Sequence, residues 1–333
     1  MQLEFDLKKA VSEAKESKAK IILVQLPEGL KARTTEICAE IEAKTGATVI
    51  TKMDPCFGAC DLAQRDAESV GADLIMHFGH NEFFKPRVKT IFVPLGYGVE
   101  EKELREAGNK IANQCRKNDW KTIGMVCTVQ FEAWLRALQA ELEKKGITAI
   151  VKQASGTAKG YGQVLGCNYS AAKKVENDSS AIIVVCDGLF HPLGVAFNSP
   201  KPVVAFNPLN SEIRELSDEK EKHLRKRFGQ IALARDAKSF GIIVSSKEGQ
   251  NRAKLALELK KKIEEKGKTA FILEMDFVKP EYLVGVKVDA LVNTACPRMQ
   301  DDQQAFGKPL LSRTELLIAL GEIPAEKFAL DQM

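Results

Sequence analysis

The chain has 333 residues, 44% of them hydrophobic, with 49 Lys and Arg against 45 Asp and Glu and a net charge of +4. That is enough chain to bury a sizeable core and form two or three domains, and the interspersed signs exclude both the basic stripe of a direct nucleic-acid binder and an acidic solvating tail. No apolar run approaches the roughly 20 residues that span a bilayer, and the charged, amphipathic start MQLEFDLKKAVSEAK is unlike a signal peptide, so the sequence reads as cytoplasmic, with no membrane partner and its eight cysteines reduced.

In chain order, the β-branched stretch KIILVQL (20–26) predicts a strand, and KARTTEICAEIEAKTG after it a helix, with Ile37 and Ile41 four apart and Gly46 at its close. A second strand follows in KTGATVI (44–50) and a third in GADLIMHFGH (71–80). The sequence then restarts. KTIGMVCTV (121–129), KKGITAIV (144–151) and SSAIIVVCDG (179–188) repeat the series, and KSFGIIVSS (238–246), EKGKTAFIL (265–273) and KVDALVNTAC (287–296) repeat it again. Strands alternating with helices predict parallel βαβ construction. Three similar units predict internal triplication: an α/β fold of three Rossmann-like domains, 1–118, 119–235 and 236–333, packed about a pseudo-threefold axis. Ligands of open α/β sheets collect beyond the carboxyl ends of the strands, so three such ends can share one site.

The cysteines sort by surroundings. Cys38 shares a helix with Ile37 and Ile41, and Cys127 lies in a strand, so both read as small core residues; Cys186 at a strand end and Cys115 in a helix read as structural or incidental thiols. Cys56, Cys60, Cys167 and Cys296 lie in loops near strand ends. Cys60 and Cys167 occupy equivalent positions before the third strand of their repeats, and Cys296 aligns with His80. Cys56 has no counterpart and reads as a packing residue or a neighbour of the site. Three thiolates, one per repeat, suit an iron–sulfur cluster with one iron open to substrate. Zinc competes, because Cys56, Cys60, His77 and His80 make C-x3-C-x16-H-x2-H; side chains three apart on a strand point to opposite faces, so the two histidines meet one ion only where the strand has ended. A third reading leaves the loop cysteines incidental, in a cluster-free, triplicated small-molecule binding protein.

Taken in order, LPEGL (26–30), DPCFGACD (54–61), HFGH (77–80), GQVLGCN (162–168), FHPLG (190–194), VSSKEGQ (244–250) and NTACPR followed by DD (293–302) resemble the archaeal diphthamide-biosynthesis family, the 2-(3-amino-3-carboxypropyl)histidine synthases, over nearly the whole chain. Asn81 stands where that family more usually has Ser. The resemblance implies a noncanonical radical enzyme and homodimer. Its 4Fe-4S cluster would be held by Cys60, Cys167 and Cys296, with an electron donor required. S-adenosylmethionine would supply a 3-amino-3-carboxypropyl group to C2 of a histidine of translation elongation factor 2, leaving methylthioadenosine. No catalytic side chain is expected beyond the cluster ligands.

Donor-binding candidates follow from position. Backbone amides after Glu28 and Gly29, and after Ser245, suit a carboxylate at a helix start, Arg298 suits a pairing partner for it, and His80 stands opposite Cys296. His191 reads as a satisfied polar residue, and Asp301 and Asp302 as a helix start or a brace for Arg298. GTAKGYGQVLG (156–166) is glycine-rich but lacks the Lys-Ser/Thr ending of a phosphate loop, and reads as a mobile loop. Quinolinate synthase, another three-unit protein with three cysteine ligands, is the enzymatic alternative.

Overall fold

The structure, a computed structural model, describes residues 3–332. Three sheets share one plan. The first contains β1 (Ile21–Gln25), β2 (Thr48–Lys52), β3 (Leu74–Phe78) and β4 (Thr90–Val93) in the order β2-β1-β3-β4, every neighbouring pair parallel. The second contains β5 (Thr122–Cys127), β6 (Thr148–Ile150), β7 (Ala181–Val185), β8 (Val203–Asn207) and β9 (Glu212–Glu215), ordered β6-β5-β7-β8-β9. The third contains β10 (Ser239–Ser245), β11 (Thr269–Met275), β12 (Ala290–Asn293) and β13 (Leu310–Leu311), ordered β11-β10-β12-β13 and again parallel. The order second, first, third, fourth recurs three times, which is compatible with triplication. A short antiparallel pair, Leu3–Glu4 with Gly96–Tyr97, stands apart from these sheets.

The repeats share local chemistry as well as topology. Asp73, just before β3, accepts from the amides of Lys20 and Ile21 at 2.8 and 3.0 Å; Asp289, just before β12, accepts from those of Lys238 and Ser239 at 2.9 and 2.8 Å. Each carboxylate thereby ties the start of a first strand to the start of a third. Gly46, Gly146 and Gly267, each following Lys or Thr at a helix end, all take positive φ, the left-handed conformation in which glycine avoids a Cβ clash.

Central strands read as continuous apolar runs because both faces are covered. All five residues of β3 and of β7 are buried. The three fourth strands, β4, β8 and β13, were not predicted from sequence: Leu310–Leu311 is too short to carry a period, and Thr90–Val93 and Val203–Asn207 follow irregular segments.

The chain divides into two compact units. One contains Met1–Val164, Ser170–Asp187 and Phe206–Ile213, and the other Leu165–Tyr169, Gly188–Ala205 and Arg214–Met333. Within the first, one core gathers Ile22, Val24, Met76, Phe78, Ile37 and Ile41 around the first sheet, with the helix Leu7–Ser17 contributing Val11 and Ala14. The second is built around Phe240, Ile242, Val292, Leu259 and Leu316. Among the described residues no helix is long and apolar enough to cross a membrane.

Candidate functional site

The loop of residues 53–63 follows β2 and is pinned by the last residue of β1. Gln25 is buried, and its Nε2 donates to the Asp61 carbonyl at 2.7 Å while its Oε1 accepts from the Ala63 amide at 3.1 Å. These bonds fix which end of the amide is oxygen. Cys60, half-buried, therefore sits in a 3-10 turn, Ala59–Asp61, held from both sides. Cys60 precedes the start of β3 by fourteen residues, and Cys167 precedes the start of β7 by fourteen. The equivalence expected from the sequence is thus one of position relative to the observed strands.

Gln25 also orders the histidines. Its Oε1 lies 2.8 Å from His77 Nδ1, so that nitrogen carries the proton and donates, leaving Nε2 to accept from His80 Nδ1 at 3.0 Å. The strand-face objection to a shared His77–His80 site does not hold, because β3 ends at Phe78 and Gly79, at φ 103°, turns His80 back toward His77. Burial drives the His77 pKa well below its usual range, with His80 adding to the effect, and brings His80 down to about 4, so both imidazoles are neutral near pH 7. Cys56 is buried beside them: one ligand atom from each of Cys56, His77 and His80 lies within 4.8 Å of the others.

In the other unit, Cys167 follows Gly166 in a tight turn in which the Leu165 and Asn168 backbones exchange bonds of 2.8 and 3.1 Å. Cys296 lies three residues beyond β12 and caps a 3-10 turn, Pro297–Gln300; its carbonyl accepts from Asn293 Nδ2 at 2.8 Å and from the Met299 amide at 3.1 Å. Tyr169 lies beside both. Burial raises its pKa, and Cys167, Asp301 and Cys296 all reinforce the rise, so both thiols are within electrostatic reach of one phenol. Burial raises the Cys296 thiol as well, opposed by the Arg298 amide and guanidinium. A small indentation, with room for about one water, is lined here by Gly166, Tyr169, Phe190, Leu193, Pro297 and Asp301 among others. Cys60 belongs to the first unit and Cys167 and Cys296 to the second.

Arg298 is half-exposed, stacked 4.9 Å from the Phe190 ring centroid, with Nε 3.5 Å from Asp301 Oδ2. Asp301 is therefore its acidic neighbour. His191 follows Phe190; burial lowers its pKa to about 4, and Arg298 adds to the effect. Glu28 is exposed and pairs with Lys31 Nζ at 2.5 Å, and the same ammonium donates to the Met53 and Asp54 carbonyls at 2.8 and 3.1 Å, at the start of the Cys56–Cys60 loop. Gly29 lies in the 3-10 turn Glu28–Arg33, and the α-helix starts only at Thr34. Likewise Ser245 ends β10, its buried Oγ accepts from the Lys247 amide at 3.2 Å, and a 3-10 turn precedes the helix at Ala253. The helix starts expected after PEG (27–29) and after SSKEG (245–249) are thus short 3-10 turns, with fewer aligned amides to offer a carboxylate.

The remaining thiols differ from expectation at one place. Cys115, Cys127 and Cys186 are buried, and burial raises Cys115 to about 11 and Cys127 well above its usual range, as suits inert thiols. Cys38 is only half-buried, with Sγ 3.1 Å from Thr51 Oγ1, because it lies about 100° around the helix from the fully buried Ile37. Gln25, Tyr169 and Phe190 were not found from sequence. The one signal was a glutamine closing the otherwise apolar IILVQ.

The family described as "Putative diphthamide synthesis protein" matches residues 26–329. The chain belongs to this diphthamide synthesis family. It is 36% identical over 314 residues to the 2-(3-amino-3-carboxypropyl)histidine synthase of Pyrococcus horikoshii, covering 93% of this chain and 89% of that protein. Human 2-(3-amino-3-carboxypropyl)histidine synthase subunit 1 is 26% identical, over 96% of this chain and 72% of the human one. Among solved members of the family, the crystal structure of Dph2 from Pyrococcus horikoshii with a 4Fe-4S cluster matches with a TM-score of 0.91 at 34% identity, covering 99% of this chain and 94% of that one.

Proposed function

We propose that this chain transfers the 3-amino-3-carboxypropyl group of S-adenosylmethionine to C2 of a histidine imidazole in translation elongation factor 2, by a radical mechanism that leaves methylthioadenosine. It would do so as a cytoplasmic homodimer fed by an external electron donor. The observation that carries this reading is the match along nearly the full chain to a family structure containing a 4Fe-4S cluster. The donor set supports it. Cys60, Cys167 and Cys296 are loop thiols beyond strand ends, half-buried where Cys115, Cys127 and Cys186 are sealed, and they fall one to each repeat, 1–118, 119–235 and 236–333. Bound by three thiolates, a 4Fe-4S cluster leaves one iron open and supplies the electron for reductive cleavage of a sulfonium.

The protein's own part is orientation and exclusion of water. Arg298, flattened on Phe190 and flanked by Asp301, presents a half-exposed guanidinium suited to the donor's carboxylate. Its position two residues after Cys296 fixes that guanidinium close to one ligand. Glu28, Gly29 and Ser245 act, in this reading, through backbone placement: the Glu28–Lys31 pair braces the loop that carries Cys60, and Ser245 shapes the turn after β10. His80 faces the Cys60 loop across Gly58, where an added Cβ would lie 3.5 Å from Cys60 Sγ and 3.9 Å from His80 Nε2.

The test is anaerobic reconstitution with iron and sulfide, then reductant, S-adenosylmethionine and elongation factor 2. The expected result is methylthioadenosine with one aminocarboxypropyl group on the factor by mass. Intact donor beside unmodified factor would overturn the reading. Replacing Cys60, Cys167 or Cys296 by Ala should each lower bound iron, and Cys56→Ala should not.

A further inference from the structure

We propose that Cys56, His77 and His80 form a mononuclear site for a divalent cation of the zinc class, independent of Cys60, Cys167 and Cys296. The three donors come from one unit, and one ligand atom of each lies within 4.8 Å of the others. In a tetrahedral zinc site, bonds of about 2.0–2.3 Å place donors roughly 3.3–3.6 Å apart. The two imidazole nitrogens, at 3.0 Å, are already near that separation, and the thiol, within 4.8 Å of both, needs to close by no more than about 1.5 Å, within reach of a χ1 adjustment.

The surrounding partners point the same way. A histidine that binds metal through one nitrogen characteristically donates its other N–H to a fixed carbonyl or carboxylate, which sets the tautomer. His77 does this: Nδ1–H donates to Gln25 Oε1, and Gln25 is itself locked by Asp61 and Ala63. His77 Nε2 therefore presents a lone pair, and it points at His80. His77 is fully buried in a strand that is otherwise apolar, Leu-Ile-Met-His-Phe. The donor set of two imidazoles and one thiolate suits zinc, and leaves a fourth position open.

The exchange balances simply. The thiol proton of Cys56 leaves to solvent as the Sγ–metal bond forms. The proton now between the imidazoles moves from His80 Nδ1 to His80 Nε2, so Nδ1 becomes a ligand and no second proton is lost. Occupation of the site thereby places an N–H on the side of His80 that faces Gly58 and Cys60.

The experiment uses the full chain carrying Cys60→Ser, Cys167→Ser and Cys296→Ser, which removes the proposed cluster ligands and keeps this site. Titration with cobalt(II) should give one tightly bound ion per chain, tetrahedral d–d bands, a charge-transfer band of single-thiolate intensity and about one proton released per ion. Zinc should displace the cobalt. Adding Cys56→Ala should abolish the charge-transfer band while far-ultraviolet circular dichroism stays unchanged, and His80→Gln should weaken affinity at least tenfold. Absence of stoichiometric cobalt, or a charge-transfer band that survives Cys56→Ala, would overturn the proposal. Neither result bears on whether the unsubstituted chain holds an iron–sulfur cluster.

Discussion

Glu315→Ala should strongly destabilise the protein and should loosen the turn behind Cys296. Arg227 and Glu315 form a forked pair, Nε to Oε1 and Nη2 to Oε2, both at 2.6 Å, and at most 1% of either side chain is exposed. Arg227 also donates to the Leu310 carbonyl at 2.6 Å and to Gln303, and Glu315 also accepts from Gln300 Nε2 at 3.1 Å and the Ser312 amide at 2.7 Å. Removing the carboxylate leaves a guanidinium sealed from water without its counter-ion, at a cost of about 3–5 kcal/mol; Arg227→Ala should cost about the same. The double variant Arg227→Ala with Glu315→Ala removes both charges, so it should cost less than the sum of the single changes by about 2–3 kcal/mol. Urea unfolding of the four proteins at pH 7 measures this directly. Gln300 and Gln303 lie in the 3-10 turns just after Cys296, so the single variants should also retain less iron after reconstitution. Costs that add within about 0.5 kcal/mol would refute the coupling, and with it the role of this ion pair as the anchor of the Cys296 turn.

Three further outcomes follow from the geometry. Gln25→Leu deprives His77 Nδ1–H, the Ala63 amide and the Asp61 carbonyl of their partner at once, for about 1–3 kcal/mol each, and should lower the urea midpoint and loosen the Cys60 loop to proteolysis; an unchanged midpoint would show that the relay holds nothing. Gly166→Ala sets a Cβ 2.0 Å from Phe190 Cε1, so it should cost about 1–3 kcal/mol and weaken donor binding by shifting the ring under Arg298; Gly188→Ala, where no atom lies within 4 Å, should show neither effect. All four histidines are held below their usual pKa by burial, His80 and His191 at about 4, so above about pH 7.5 neither folded nor unfolded chain is appreciably protonated there. Below that value the unfolded chain takes up protons that the fold refuses, so stability should fall with pH, by about 2 kcal/mol at pH 5 for each of His80 and His191; equal urea midpoints at pH 7.5 and 5 would refute the assignment.

The repeats were legible because three features of a βαβ unit are local: an apolar strand, a helix at 3.6 spacing, and a glycine to close it. KIILVQL, KTIGMVCTV and KSFGIIVSS each matched a first strand, and counting residues back from the third strand was enough to equate Cys60 with Cys167. What was missed is long-range. Arg227 and Glu315 stand 88 residues apart, and Gln25 reaches His77 across 52, so nothing in either neighbourhood signals the bond. Cys38 was misplaced for a smaller reason, a single 100° step from Ile37. Cys56 shows where local reading misleads most. The repeats leave it without an equivalent, and on that ground it reads only as a packing residue or a neighbour of the site. The fold instead sets it against two histidines whose tautomers are dictated by a glutamine in a different strand, and His80, aligned with Cys296, is the residue through which the first repeat departs from the third. A position that breaks the internal symmetry is therefore where chemistry particular to one repeat should be sought.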